Sequence, residues 1–182
     1  HIKGHGDCGF GGACKNLAMG CILSLSRRDL HALEGKLEWN KEKCTRCDRC
    51  IRECTRKASS FNEQGEYNIF WHHCKMCLHC MLACPSGAIK IVNRNFDLFQ
   101  EGLARVAKLV LDAFSDKNVF HISFLTNITV FCDCWGLSTP TLVPDVGVFA
   151  AQDIVAVETA SLNAIKVENL IPGSLVPPHT LG

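Results

Sequence analysis

Eight cysteines carry the strongest chemical signal in this chain. Cys44, Cys47, Cys50 and Cys54 stand at gaps of two, two and three residues; Cys74, Cys77, Cys80 and Cys84 repeat those gaps 30 residues later, with Pro85 after the last. Thiolates are soft metal donors. Three of them two residues apart can wrap three corners of an iron–sulfur cubane while backbone amides face its sulfides. The fourth cysteine lies too far round to reach the same cubane and ligates the neighbouring one. The repeat therefore predicts two 4Fe-4S clusters with crossed ligation: Cys44, Cys47, Cys50 and Cys84 for cluster 1, and Cys74, Cys77, Cys80 and Cys54 for cluster 2. Zinc is the competing reading. Its sites use isolated C-x2-C pairs about 12 to 20 residues apart and need four ligands, which two triplets, each with a fourth cysteine, exceed.

The other five cysteines of the 13 are Cys8, Cys14, Cys21, Cys132 and Cys134. An odd count in tight clusters argues against a disulfide framework and for a reducing compartment. Cys132-Asp133-Cys134 follows an apolar β-rich run, where a loop would present side chains at a strand end. Such a C-x-C pair can bind a soft metal or form a redox couple; the bland alternative is two buried thiols. Cys132 and Cys134 are thus candidates for a third metal or substrate site, with His1 and His5 as further potential ligands. Gly4-His5-Gly6-Asp7-Cys8-Gly9 formally matches G-x-G-x-x-G but follows no strand, so it reads as a flexible loop, not a dinucleotide fingerprint. Asp145 and Asp153 read as a turn residue and a helix cap.

Charge is distributed unevenly. The chain has a net charge of +1, yet residues 41–92 hold nine Lys/Arg against five acids, a local +4, with Arg46, Arg49, Arg52 and Arg56 in or beside the first motif. Positive charge beside a cluster favours its reduced, more negative state and attracts an acidic donor such as a free ferredoxin. A solvated face with no partner explains the same arginines. Nucleic acid fits less well, because aromatics are not interleaved with them.

These sites need a scaffold, and 182 residues at 47% hydrophobic and 20% charged suffice for one or two globular domains. No apolar run reaches the ~18–20 residues of a membrane helix, and residues 1–20 show no signal-peptide core. Three segments are expected. Residues 1–40 run from a glycine-rich loop into a short helix at KNLAMGCILSL. Residues 41–92 hold the motifs. In residues 93–182, Phe99, Leu103, Val106, Val110 and Phe114 recur at helical spacing, predicting a helix of about 95–115 capped by Asn95 or Asp97. Ser115–Asn118 make a turn, 119–131 one or two strands, and 146–151 a short strand; Asp153 caps a helix through AVETASLNAI. Helices alternating with apolar strands point to an α/β scaffold.

Residues 41–92 resemble a bacterial two-cluster ferredoxin domain, with NEQGEYNI matching the hairpin between the motifs and PSGAIKI the strand after the last ligand. Thr55 follows Cys54 where that motif has proline, so a changed local backbone is expected there without loss of the cluster. A broader resemblance runs through HIKGH, GFGGACKNLAMGC, the two-motif insert, LTNITVFCDC and VPDVGVFAAQDIVAVETAS. Together these resemble the iron–sulfur branch of the domain of unknown function 362 proteins. That resemblance implies an α+β ferredoxin-like dicluster module inserted in an α/β domain, with 1–40 and 93–182 as the two parts of the host. It also implies that the host's N-terminal half precedes His1 and is absent from this chain. Three departures stand out: a longer ILSLSRRDLHALE link, Cys14 at an apolar place, and Glu158 where the family has Asp.

The expected function is electron transfer, relaying single electrons through two clusters between a redox partner and a site in the α/β domain. One alternative is an oxidoreductase with a site near Cys132-Asp133-Cys134; another is clusters that only staple the fold. Cubanes are oxygen-labile, so a cytoplasmic, anaerobic setting is expected.

Overall fold

The computed structural model describes residues 12–115, 118–130 and 139–175. The chain divides into two compact units: Leu23–Phe99, and a discontinuous one made of His1–Ile22 and Gln100–Gly182. Among the described residues no helix is long and apolar enough to cross a membrane.

The first unit contains α2 (Ser24–Ala32), β1 (Lys36–Trp39), α3 (Arg49–Arg52), β2 (Ser59–Phe61), β3 (Tyr67–Ile69), α4 (His79–Leu82) and β4 (Ile89–Val92). Its internal repeat is visible in the backbone. β1 pairs antiparallel with β4, Trp39 opposite Ile89, and β2 pairs antiparallel with β3, Ser59 opposite Ile69. Each ladder therefore joins a strand of one half to a strand of the other. Equivalent hydrogen bonds extend both: Asn40 N–H donates to Ala88 O at 2.8 Å, and Phe70 N–H donates to Ala58 O at 2.7 Å. Between β2 and β3 the chain turns at Asn62, whose side chain accepts from Glu66 N–H at 2.7 Å. Leu37, Cys50, Met76, Leu78 and Ile89 form the buried core, with Trp39, Tyr67 and Ile69 packed against it.

This unit is wider than the 41–92 stretch expected from the motifs, because β1 is tied to β4. The neck of the module is closed further out as well. Asn95 N–H donates to Glu34 O at 2.8 Å, the Arg94 guanidinium bonds the buried Glu34 carboxylate, and the rings of His31 and Phe99 stack at 5.6 Å. Gly35 is required here, since a Cβ would meet Val92 O at 2.7 Å.

The other unit holds α1 (Gly12–Gly20), most of α5 (Phe96–Leu111), β5 (His121–Leu125), β6 (Gly147–Ala151) and α6 (Ile154–Ala164). Asn95 caps α5, accepting from Leu98 N–H at 2.9 Å. The helix stops at Leu111, so Phe114 falls outside it and is exposed, while Ala107 joins Phe99 and Leu103 on the buried stripe. β5 and β6 are antiparallel, His121 opposite Ala151. One face of β5 buries His121, Ser123 and Leu125; Ile122 and Phe124 point outward and are half exposed. Asp153 caps α6, accepting from Val155 N–H at 2.7 Å. Asp145 is a turn residue that accepts from Asn127 N–H at 2.8 Å.

Candidate metal centre

The two motifs fold as superimposable turns. Arg46 and Asp48 have φ of 55° and 58°, and their counterparts Met76 and Leu78 have 54° and 61°. Left-handed residues at alternate positions turn successive N–H groups toward one side, a concavity suited to anions and to iron–sulfur sites. Each motif then enters one helical turn that carries its third cysteine, Cys50 in α3 and Cys80 in α4. The fourth cysteines match too: Ala58 N–H lies 3.2 Å from Cys54 Sγ, and Ala88 N–H lies 3.2 Å from Cys84 Sγ.

Thr55 does not alter the backbone as its type suggests. Lys57 N–H donates to Cys54 O at 2.9 Å, as Gly87 N–H does to Cys84 O at 3.1 Å. The third residue of both turns is left-handed, at 50° and 62°. Threonine and proline thus occupy the same turn, and the strained position is Lys57, where the second half has glycine.

Two cavities result. One, of about 300 Å³ including open solvent, is lined by Cys44, Cys47, Cys50 and Cys84 with Trp39 and Phe61. The other, of about 370 Å³ on the same basis, is lined by Cys54, Cys74, Cys77 and Cys80 with Leu37 and Ile69. Each cavity thus gathers three thiols from one motif and the fourth from the other. Among the described residues no three His, Cys, Asp or Glu side chains meet at a point able to hold a single metal ion; the thiols stand around a volume instead. The ten described cysteines form no disulfide.

The thiols differ electrostatically. Burial raises Cys50, with the nearby Cys84 adding to it, and burial likewise raises Cys74. Burial lifts Cys80 to about 11 against the opposing hydrogen bond from Tyr67. Burial also acts on Cys54 and Cys84, but their N–H donors, and hydrogen bonding from Ser59 and Ser86, outweigh it and lower both. Exposed Cys47 is lowered by the Arg49 N–H. A lowered thiol supplies the thiolate that ligates metal at less cost.

Two aromatic side chains that the motif reading passes over belong to the site: Trp39 lines the first cavity and Tyr67 neighbours Cys80 of the second. Tyr67 donates to Ser59 Oγ at 2.7 Å. The Trp39 indole packs against Phe61 and Tyr67, with centroids 6.1 and 6.4 Å away, and its Nε1 is buried without a hydrogen-bond partner among the described residues. Superposing the repeat on itself would have flagged both, since Trp39 aligns with Ile69 and Tyr67 with Leu37.

Of the first motif's arginines, Arg46 lies over the Phe61 ring at 4.7 Å and donates to Gly65 O; Arg49, Arg52 and Arg56 are exposed. In the other unit, Cys14 N–H donates to Glu158 Oε1 at 2.9 Å. Two of the three departures from the family pattern thus touch each other, and burial followed by the Glu158 charge raises the Cys14 thiol to about 11. Cys21 is exposed. His1, His5, Cys8, Cys132, Asp133 and Cys134 lie outside the described residues, so the third-site expectation does too.

Comparison with known proteins bears on these observations. A family model described as domain of unknown function DUF362 matches residues 1–163. The chain is 40% identical over 50 residues to pyruvate synthase subunit PorD of Methanocaldococcus jannaschii, covering 28% of this chain and 58% of that protein. It is 34% identical over 73 residues to Hdr-like menaquinol oxidoreductase iron-sulfur subunit 1 of Archaeoglobus fulgidus, covering 33% and 27%. It is 36% identical over 56 residues to the B component of polysulfide reductase from Wolinella succinogenes, covering 29% of each. The matches therefore span less than two thirds of each relative. No solved structure matches.

Proposed function

Because this sequence belongs to the DUF362 family and shares segments with components of redox enzymes, we propose that it is an iron–sulfur electron-transfer protein built as a dicluster module in an α/β host. Cys44, Cys47, Cys50 and Cys84 hold one 4Fe-4S cluster, and Cys74, Cys77, Cys80 and Cys54 hold the other. The observation that carries the reading is the sorting of eight thiols into two cavities, three from one motif and one from the other in each. The donor set fits the group: soft thiols around a volume, left-handed turns that gather N–H groups, and an orphaned buried N–H on one wall.

When bound, each cluster supplies a one-electron store. The chain's own residues exclude water from the inner thiols, orient donors toward sulfur and set the local charge. The exposed Arg49 and Arg52 beside Cys47 form a cationic approach, which suits an acidic redox partner. Anaerobic reconstitution followed by iron and sulfide analysis and EPR tests the reading. About eight iron and eight acid-labile sulfide per chain, with two interacting reducible signals, are expected. Stoichiometric zinc, or clusters that dithionite cannot reduce, would overturn it.

A further inference from the structure

Trp39 breaks the internal symmetry of the module in a way that packing alone does not require. Its counterpart in the second half, Ile69, lines the equivalent wall of the other cavity, so an aliphatic side chain satisfies the position sterically. Trp39 instead brings an N–H, and Nε1 is buried with no acceptor among the described residues. Leaving a buried donor unpaired is costly, and native structures rarely do so without a ligand or water to accept. The indole lines the cavity walled by Cys44, Cys47, Cys50 and Cys84. Its ring is held by Phe61 and Tyr67, at centroid distances of 6.1 and 6.4 Å. Thr45, Asp48 and Ser86 also line this cavity, but none of their oxygens accepts from Nε1, which leaves sulfur of a group held by the four thiols as the acceptor.

We propose that the Trp39 indole N–H donates a hydrogen bond to sulfur of the group held by Cys44, Cys47, Cys50 and Cys84, and that it raises the reduction potential of that group alone. The inference rests on the cluster assignment above. Reduction adds one electron from an external donor, breaks no bond, and leaves the proton on the indole. The added negative charge spreads onto sulfur, so a fixed N–H donor stabilises the reduced state more than the oxidised one. Tyr67 stands beside Cys80 of the other cavity with its proton given to Ser59 Oγ, so the two halves of the repeat place different polar aromatics at non-equivalent positions.

The test is Trp39→Phe in the full, anaerobically reconstituted chain, which keeps a ring and removes the N–H. Iron and sulfide should be unchanged. In an EPR-monitored redox titration one signal should move to lower potential, its reduced-to-oxidised ratio at fixed poise falling about tenfold, equivalent to about 59 mV for one electron. The other midpoint should stay, and Cys47→Ser should perturb the signal that moved. A second measurement needs no variant loading: pulsed EPR of the unmodified reduced chain, labelled with 15N in the tryptophan indole, should show a nitrogen coupling, absent in Trp39→Phe if that variant loads. Two unchanged midpoints with intact clusters, equal shifts of both, or no 15N coupling in the unmodified chain would overturn the inference while leaving the cluster assignment standing. Failure of the unmodified chain to load iron and sulfide would overturn both.

Discussion

At the scale of single residues, cysteine spacing is legible because ligation demands particular side chains at particular gaps, and all eight motif thiols line the two cavities. The tuning groups are not legible this way. A tryptophan or tyrosine on a short strand looks like ordinary core, and what distinguishes them is the Nε1 of Trp39, orphaned among the described residues, and the place of Tyr67 beside Cys80. The crossed sorting predicts that Cys84→Ser disturbs the cluster otherwise held by Cys44, Cys47 and Cys50, and Cys54→Ser the other; EPR of each variant checks this, and the reverse pattern would contradict it. Cys14 gives a second prediction. A thiol raised to about 11 is thiolate in only about one molecule in a thousand at pH 8. Peptide mapping after alkylation at pH 8 should show Cys14 at least about tenfold slower than exposed Cys21, with the gap closing as the pH approaches 11. The linked stability has the same window: a raised folded-state thiol contributes fully below about 9 and loses that contribution through about 11. Unfolding midpoints of the native chain should therefore fall across that range, and Cys14→Ser should flatten the fall.

At the scale of elements, strong periodicity is readable and weak periodicity is not. α5 lies within the expected helix because Phe99, Leu103 and Ala107 are buried in one stripe. α2 escapes notice because SLSRRDLHA is polar, buries only Leu30, and has no side-chain cap at Leu23. It is held by its place in the unit more than by propensity. Asp153 is a readable cap, and Asp153→Ala should cost about 1 kcal/mol of stability, measured by urea unfolding. Lys57 makes a sharper element-level case. Its left-handed φ of 50° sits where the second half has Gly87. A side chain in that region costs about 1–2 kcal/mol, against about 0.5–1 kcal/mol for the extra freedom of glycine in the unfolded chain. Lys57→Gly should therefore stabilise the module by about 0.5 kcal/mol, whereas Gly87→Lys should weaken it; paired unfolding curves decide the sign.

At the scale of the whole molecule, the local +4 of residues 41–92 against a chain total of +1 sets the expected ionic behaviour. Electron delivery by an acidic donor should slow as salt rises, and the double change Arg49→Glu, Arg52→Glu should lower the low-salt rate about tenfold. Stopped-flow reduction at several ionic strengths measures both, and a rate indifferent to salt would remove the cationic approach from the account. The composition and charge behind this prediction are readable directly. The division into units is less so, because nothing in the polar stretch 40–43 announces that β1, before the first motif, pairs with β4, after the second.

That pairing has a consequence for ancestry and engineering. The chain enters the module at Lys36 and leaves at Val92, which are opposite each other in the ladder, and the Glu34–Asn95 contact, with the His31–Phe99 stack between α2 and α5, keeps the entering and leaving segments together beyond it. A segment whose ends are already side by side can be spliced into a surface turn of a host, or lifted out of one, without prising the host apart. Residues 34–95, which stop short of both flanking helices, are in that sense a transplantable cassette, and a loop in an unrelated scaffold would need only a two-strand opening to accept them.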